Sequence, residues 1–258
     1  MRAMELAARM KKYEEASCLT LPGRMPIIVR VDGKAFSKYT SRLLGKPFNR
    51  EFISVMESVA GKLCEEIQGA ALAYVQSDEV SVLIHGYKRH DSDTWFANQL
   101  QKIVSVSAAI ASATFTAESW RMFKGRLDPL SLDHFEPAYF DARAFVLPES
   151  EAVNYFVWRQ RDALRNSVQM HARSLLSHEQ CHKKNTQELK DMCAELGKPW
   201  EALTPSIRKG RCVRKVTLAE GRQAFQVDTD IPLFGENRAY VEDLLRCESE
   251  SDDLRPEP

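Results

Sequence analysis

Runs of β-branched and aromatic residues alternate with two amphipathic stretches in the order β-α-β-β-α-β, and this order constrains the fold of the chain most strongly. The predicted strands cover Met25–Val31, Ala71–Gln76, Glu79–His85 and Tyr139–Leu147. The predicted helices cover Arg50–Ile67 and Asp93 to about Ser119. This order is typical of the ferredoxin-like fold, in which the first and third strands lie at the centre of an antiparallel sheet and both helices cover one face. We therefore expect an α+β fold of this type.

Two acidic turns follow predicted strands. Asp32-Gly33 ends the first strand, and Ser77-Asp78 joins the second and third strands in a tight hairpin. Because the first and third strands are neighbours in this fold, Asp32 and Asp78 should lie close together. Two carboxylates and the Gly33 carbonyl are hard oxygen ligands of the kind that Mg²⁺ prefers, and such sites are typical of nucleotidyl transfer. Glu79 is a further catalytic candidate, although the strand period predicts that it points to the opposite face.

Three segments differ in pattern along the chain. Residues 1–148 are predicted to form the sheet-containing catalytic domain, and 149–247 a mostly helical region with a basic segment at Ile207–Lys215. The tail 248–258 carries five acidic residues and one arginine, which predicts a solvated extension. Each segment therefore has a separate expected role.

Composition excludes few functions. Lys plus Arg and Asp plus Glu both number 36, so the total charge does not predict a polyanionic partner. The six cysteines include no C-x-x-C pair, which favours a reducing, cytoplasmic setting. The longest apolar stretches are interpreted as too short to span a bilayer, so no membrane partner is expected.

Several motifs together resemble the tRNA-histidine guanylyltransferase family. They occur in the family's order from about residue 1 to residue 213: Arg30–Phe36, Lys46-Pro47, Gln76–Ser81, Trp95-Phe96, Phe140–Arg143, Trp158–Gln160 and Arg208–Gly210. The resemblance implies a polymerase palm that adds nucleotides to the 5′ end of tRNA in the 3′-5′ direction. It also implies a homotetramer.

One family motif is altered. The family's His-Ile-Asn-Asn-Leu-Tyr-Asn run corresponds here to Leu164–Met170, in which only Asn166 is kept. The chain thus resembles the guanylyltransferase-like branch, whose members prefer templated repair of 5′-truncated tRNA. Addition of the extra guanosine to tRNA-His is the alternative.

The resemblance also implies a ligand set. Asp32 and Asp78 would bind two Mg²⁺ ions with the Gly33 carbonyl, and ATP and GTP would be substrates, with ATP or GTP activating the 5′ end. Ser77 and Lys46 would line the site of the activating nucleotide. From the residues alone, the backbone after the metal turn is placed to contact triphosphate oxygens, with lysines as cationic supports. These candidates are Lys34, Ala35, Phe36, Ser37, Lys46 and Lys102.

Basic residues of the C-terminal region are candidates for contacts with the tRNA backbone. The tRNA-binding candidates are Arg159, Arg161, Arg165, Asn166, Arg208, Lys209 and Arg211. The cluster around Arg208 could equally be a solvated basic loop. Trp158 is expected in the core, because aromatic residues at helical spacing are usually buried.

Other functions stay open at this point. His178-Glu179-Gln180-Cys181-His182 matches the H-E-x-x-H pattern of zinc peptidases. A ferredoxin-like domain with a basic extension could also be a non-catalytic RNA-binding protein. A nucleotide cyclase would use the same palm but would not need tRNA.

Overall fold

The computed structural model describes residues 5–36, 39, 48–88, 92–124 and 135–247. Its strands are β1 (Ile27–Gly33), β2 (Ala70–Gln76), β3 (Glu79–Ile84), β4 (Phe140–Val146), β5 (Arg211–Thr217) and β6 (Gln223–Asp228). Its helices are α1 (Leu6–Glu15), α2 (Arg50–Glu66), α3 (Leu100–Phe123), α4 (Glu149–Leu175), α5 (His178–Cys181), α6 (Thr186–Glu195), α7 (Pro205–Lys209) and α8 (Ala239–Glu242). Short 3-10 turns lie at Trp95–Asn98, Trp200–Ala202, Ala219–Gly221 and Asp243–Leu245.

All six strands form one antiparallel sheet in the order β4-β1-β3-β2-β5-β6. The predicted fold class is confirmed, because β1 lies between β3 and β4 as the ferredoxin-like order requires. The register places Asp32 directly opposite Glu79 on one side and Asp141 on the other. Residues paired across neighbouring strands project from the same face, so these three carboxylates share a face.

An apolar core fills the face of the sheet that carries Val29 and Val31. Helices α2 and α3 cover it with fully buried side chains, among them Leu63 and Phe115. The Asn49 side chain caps α2 by accepting a hydrogen bond from the Phe52 N–H at 2.9 Å. This face therefore positions β1 without contributing polar groups to the site.

Helix α4 covers the opposite face. Phe156 of α4 packs with Ile28 and Leu83 of the sheet and with Phe234 from the C-terminal segment. The Tyr155 hydroxyl lies 2.8 Å from the Ser81 Oγ, which fixes the helix against β3. The C-terminal region thus covers the face of the sheet that α2 and α3 leave open.

The C-terminal region also extends the sheet itself. Sequence analysis expected Ile207–Lys215 to be a basic segment in a mostly helical region, but Arg211–Thr217 forms β5, which pairs with β2. Strand β6 then pairs with β5 along its length. After residue 149 the chain thus forms helices and the two strands β5 and β6, both of which join the sheet begun by the N-terminal region.

Helix α3 is long and apolar enough to cross a membrane by length and composition, so the expectation that no stretch has this length was wrong. Its Ile103, Ala111 and Phe115 are fully buried in the core under the sheet. Two of its hydroxyls bind the chain beside β4: Ser112 accepts from the Phe140 N–H at 3.0 Å, and Thr116 accepts from the Ala138 N–H at 3.1 Å. One face of α3 thus packs against the sheet and the chain beside β4.

Candidate active site

The two acidic turns meet at one edge of the sheet. The Gly33 N–H donates a hydrogen bond to the Asp78 carbonyl at 3.1 Å, which links the end of β1 to the hairpin tip. Asp32 and Asp78 line the same cavity, which has a volume of about 850 Å³. The predicted convergence of Asp32 and Asp78 is therefore confirmed.

Gly33 is required by close packing in its turn. A Cβ atom at this position would lie 2.3 Å from the Phe36 ring, so any side chain here would displace that ring. Phe36 is only 3% exposed and contacts Phe115 and Phe140 in the apolar core. The same packing that anchors Phe36 thus fixes the backbone beside Asp32.

One predicted triphosphate contact is not available in this structure. The Lys34 N–H donates to the Tyr139 carbonyl at 2.8 Å, so it cannot also serve a phosphate oxygen. The Lys34 side chain and Ala35 are exposed, whereas the Phe36 side chain is buried. Two further predicted nucleotide contacts, Ser37 and Lys46, lie outside the described residues.

Ser77 occupies the hairpin turn with a φ of 51°, in the left-handed region that non-glycine residues seldom adopt. Its side chain is exposed and lines the cavity beside Asp78. Gln76 and Glu79 pair across this two-residue turn. The tight hairpin predicted from the sequence is therefore present, with Ser77 facing the cavity.

Glu79 holds an arginine of α4. The Arg159 guanidinium donates to both carboxylate oxygens of Glu79, at 2.8 and 2.9 Å, and also to Asp162 at 3.1 Å. The side chains of Arg159 and Glu79 are only 8% and 12% exposed. The Arg30 Nε lies 3.8 Å from the same Glu79 carboxylate. Glu79 was expected on the opposite face, but it lies beside Asp32, and its carboxylate is occupied by the Arg159 pair.

Burial dominates the electrostatics of these acids. It raises the pKa of Asp32, and the neighbouring Asp141 carboxylate raises it further, while Arg30 and Arg143 act in the opposite direction. Burial also raises the pKa of Glu79, against the effect of Arg159. A cation beside Asp32 would relieve the repulsion between the two aspartates.

The donor set fits a divalent cation of the Mg²⁺ type. Asp32 and Asp78 supply carboxylate oxygens, and Gly33 can supply a carbonyl oxygen at the same turn. Among the described residues, no group of three or more His, Cys, Asp or Glu side chains is arranged to hold a metal. A metal here would therefore be held by two carboxylates and backbone or substrate oxygens.

Lys102 lies away from this site. It is exposed on the first turn of α3, next to the buried Ile103. Ile103 lies beside Ile27, the first residue of β1, and Ile84, which pairs with Ile27 at the end of β3. Asp32 is five residues further along β1, about 16 Å away along the strand. The structure therefore does not bring Lys102 together with Asp32 within this chain.

The predicted tRNA contacts separate into buried and exposed groups. Arg211 is 4% exposed, and its Nε lies 2.9 Å from Glu57, while Arg159 is held by Glu79. Both side chains are therefore held in ion pairs, and both line the cavity. Arg161 and Arg165 are exposed on α4, and Arg165 pairs with Asp162.

The remaining basic candidates lie around α7. The Arg208 guanidinium sits over the Trp200 ring, with its carbon 5.1 Å from the centroid. The Lys209 Nζ lies 3.8 Å from Asp230. Asn166 lines the cavity and donates to Asp162 at 3.3 Å. Arg159, Asn166 and Arg211 thus all line the cavity, but Asn166 is uncharged and belongs to no buried ion pair.

Sequence reasoning missed some residues and misplaced another. Asp141 and Arg30 share a face with Asp32, which the strand period and the correct register would have revealed. Trp158 was expected in the core, but its side chain is 54% exposed and its ring lies 4.5 Å from the Arg159 guanidinium. At this point of α4 the buried position is taken by Arg159, which was expected at the surface.

The H-E-x-x-H match does not form a peptidase site. His178–Cys181 is a single exposed helical turn, and His182 already follows its end. The two histidine rings stack with centroids 6.2 Å apart at the protein surface. No third ligand joins them in the part of the chain that the structure describes. The structure does not favour a zinc peptidase.

Comparison with known proteins identifies relatives. The family model described as tRNAHis guanylyltransferase matches residues 7–148. A bacterial tRNA(His) guanylyltransferase-like protein in complex with ATP is 36% identical, with a TM-score of 0.85 over 95% of this chain and 100% of that one. A further solved structure of a bacterial tRNA(His) guanylyltransferase-like protein, in complex with GTP, is 35% identical, with a TM-score of 0.77 over 94% of this chain and 99% of that one.

A curated relative gives the same family. The tRNA(His) guanylyltransferase of Debaryomyces hansenii is 32% identical over 164 residues, or 61% of this chain and 56% of the relative. The chain spans about half the length of the curated relatives that it matches. The family model covers more than half of the chain and includes both acidic turns. The chain therefore belongs to the tRNA-histidine guanylyltransferase family.

Proposed function

We propose that this protein is a Mg²⁺-dependent nucleotidyltransferase that adds nucleotides to the 5′ end of tRNA in the 3′-5′ direction. Its principal task would be templated repair of 5′-truncated tRNA. The observation that carries the proposal is the meeting of Asp32 and Asp78 in one cavity, at turns joined by the Gly33–Asp78 hydrogen bond. The likeness to guanylyltransferase-like proteins bound to ATP and GTP supports the substrate class.

The reaction joins an incoming nucleotide to an activated 5′ end. The 3′-hydroxyl oxygen of a nucleoside triphosphate forms a bond to the 5′ phosphorus of the RNA, and the hydroxyl loses its proton. The bond that breaks releases AMP or GMP from an end activated by ATP or GTP, or pyrophosphate from a 5′ triphosphate. The added nucleotide keeps its own triphosphate as the new 5′ end.

The residues of the chain have separate tasks in this scheme. Asp32 and Asp78 would hold two Mg²⁺ ions with the Gly33 carbonyl. When bound, such ions lower the pKa of an attacking hydroxyl and neutralise charge on the leaving group. Ser77, exposed at the hairpin tip, contacts the activating nucleotide. The Arg159–Glu79 pair fixes the hairpin that carries Asp78, because it connects the first residue of β3 to α4.

Incubation of the protein with Mg²⁺, labelled nucleoside triphosphates and a tRNA lacking its first nucleotide tests this function. The base opposite the missing position is varied, and the RNA is supplied with a 5′ monophosphate or triphosphate. We expect the complementary nucleotide to be added at the 5′ end. Tight RNA binding without incorporation from either end would overturn the proposal and favour a non-catalytic RNA-binding protein.

The names of the curated relatives favour a second function, addition of the extra guanosine to tRNA-His. The two functions differ in their response to the template. Guanosine incorporated whatever the opposing base would support the second function over templated repair. We also propose that the protein is a cytoplasmic homotetramer, which sedimentation analysis and cell fractionation would test.

A further inference from the structure

The cavity at Asp32 continues along α4, well past the carboxylates. Its lining includes α4 side chains from Arg159 to Ser174, together with the apolar Phe52 and Ile53 of α2. We call the far part of this cavity the α4 lobe. It is lined by Asn166, Gln169 and Met170, together with Arg173, Ile207 and Arg211. The metal turns do not explain this lobe.

Two side chains of the α4 lobe have no partner within the part of the chain that the structure describes. Gln169 is half-buried and Arg173 is exposed, and neither makes a hydrogen bond or ion pair with a described residue. By contrast, Arg159 and Arg165 on the same helix both bind carboxylates. An amide and a cation therefore face the lobe with their hydrogen-bonding capacity unused.

A buried arginine forms part of the same lobe. Arg211 is 4% exposed, and its Nε lies 2.9 Å from Glu57 but without the alignment of a hydrogen bond. The pairing with Glu57 offsets the cost of burying this charge. Arg173 then supplies the uncompensated positive charge of the lobe, at its exposed end.

The dimensions of the lobe fit a strand of nucleic acid. Asn166, Gln169 and Arg173 lie at positions i, i+3 and i+7 of one helix, so they share a face and span about 10 Å. A stacked strand advances about 3.4 Å per nucleotide, so this span corresponds to about three nucleotides. A single free nucleotide would leave part of this face uncovered.

We propose that the α4 lobe binds the first nucleotides of the RNA acceptor, with Asn166 and Gln169 contacting base edges and Arg173 contacting a phosphate. Amide side chains can read the exposed edges of unpaired bases, and arginine forms strong, charge-assisted bonds with phosphate. Met170 and Ile207 provide apolar surface in the lobe against which a base can pack. The inference rests on the proposed function, since the RNA end must lie beside Asp32.

Full-length Arg173→Ala and Gln169→Ala variants test the proposal, with Arg121→Ala and Gln187→Ala as matched controls. Both control residues are exposed on other helices, α3 and α6. Binding of 5′-truncated tRNA is measured by fluorescence anisotropy at several salt concentrations, and ATP binding is measured separately. Arg173→Ala should weaken RNA binding about three- to tenfold and reduce the salt dependence by about one counterion, while Arg173→Lys should restore most of both.

Gln169→Ala should change the preference between correct and incorrect incoming nucleotides more than it changes RNA affinity. Neither lobe variant should alter ATP affinity or the unfolding temperature. Unchanged RNA affinity and salt dependence in Arg173→Ala would overturn the proposal. Weakened ATP binding with normal RNA binding would also overturn it, and would assign the lobe to a free nucleotide. If the wild-type protein binds RNA but does not extend it, the proposed function fails while the binding measurements still decide the role of the lobe.

Discussion

The two faces of the sheet differ in what their buried residues do. On the α2 and α3 face, β1 contributes Val29 and Val31 to a core of fully buried apolar side chains. On the α4 face, the same strand contributes Arg30 and Asp32 to a group of charged residues. Alternation along a single strand therefore separates stability from chemistry, because successive side chains point to opposite faces.

The α4 face is itself divided along its length. At the start of β1, Ile28 packs with Phe156 of α4 in an apolar cluster. Towards the end of β1, the Arg159–Glu79 pair replaces apolar contacts, and the cavity begins. A buried ion pair adds less stability than apolar packing. We therefore expect the main role of this pair to be positioning the hairpin beside Asp32. Substitutions on the two faces should therefore separate activity from stability.

Asp32→Asn should give the largest effect, a loss of at least about 10³-fold in nucleotide addition, because it removes a carboxylate of the proposed metal site. The unfolding temperature should not fall, since burial and Asp141 both disfavour ionised Asp32 in the folded protein. Steady-state incorporation and thermal unfolding are measured on the same preparation. Glu65→Gln, at an exposed carboxylate of α2, is the matched control and should retain full activity. Near-normal turnover in Asp32→Asn would refute the metal assignment.

Leu63→Ala, on the other face of the sheet, should lower stability and leave activity nearly unchanged. Leu63 is fully buried under the sheet, and its truncation should lower the free energy of unfolding by about 3 kcal/mol. Activity per folded molecule should stay near the wild-type value, because Leu63 does not line the cavity. Denaturant unfolding measures the change in stability, and an active-site titration gives the activity per folded molecule. The neighbouring Lys62→Ala is the surface control, and comparable loss of activity and stability in Leu63→Ala would show that the faces are not separable.

Sequence reasoning succeeded where local pattern and fold order determine position. The β-branched strands predict the meeting of Asp32 and Asp78, because the ferredoxin-like order makes β1 and β3 neighbours. It failed for β5, because Arg211, Arg214 and Lys215 interrupt the apolar pattern by which a strand is recognised. Arg211 is buried by pairing with Glu57, and the Lys215 Nζ lies 5.2 Å from the centroid of the Phe225 ring on β6. Such pairings join distant parts of the chain and have no local signal.

Side-chain direction on α4 was equally hard to predict. Hydrophobicity places Trp158 inside, but the structure buries Arg159 and Gln160 and leaves Trp158 54% exposed. The reason lies in two distant partners. Glu79 binds Arg159, while Gln160 accepts from the Phe234 N–H at 2.8 Å and donates to the Pro232 carbonyl at 2.9 Å. Polar residues that find such partners can take the inward positions of a helix.

The Arg159–Glu79 pair should contribute to both stability and activity, so its substitution should change both, with a smaller loss of activity than Asp32→Asn. Arg159→Leu leaves the Glu79 carboxylate buried without its main partner, which should cost about 3 kcal/mol of stability. Activity should fall about tenfold, because the hairpin that carries Asp78 loses its attachment to α4. Denaturant unfolding and steady-state incorporation give the two values.

A double-mutant cycle with Glu79→Gln separates the pair from its surroundings. The double variant should be more stable than Arg159→Leu alone, since the neutral amide that replaces the carboxylate no longer needs a cation, and the coupling energy should be about 1–2 kcal/mol. Arg159→Lys should recover stability only in part, because an ammonium cannot make the two parallel bonds of the guanidinium. If activity recovers with stability in the double variant, Arg159 acts only through the fold. If stability recovers and activity does not, the pair positions Asp78 directly, which is the outcome that the geometry of the hairpin leads us to expect.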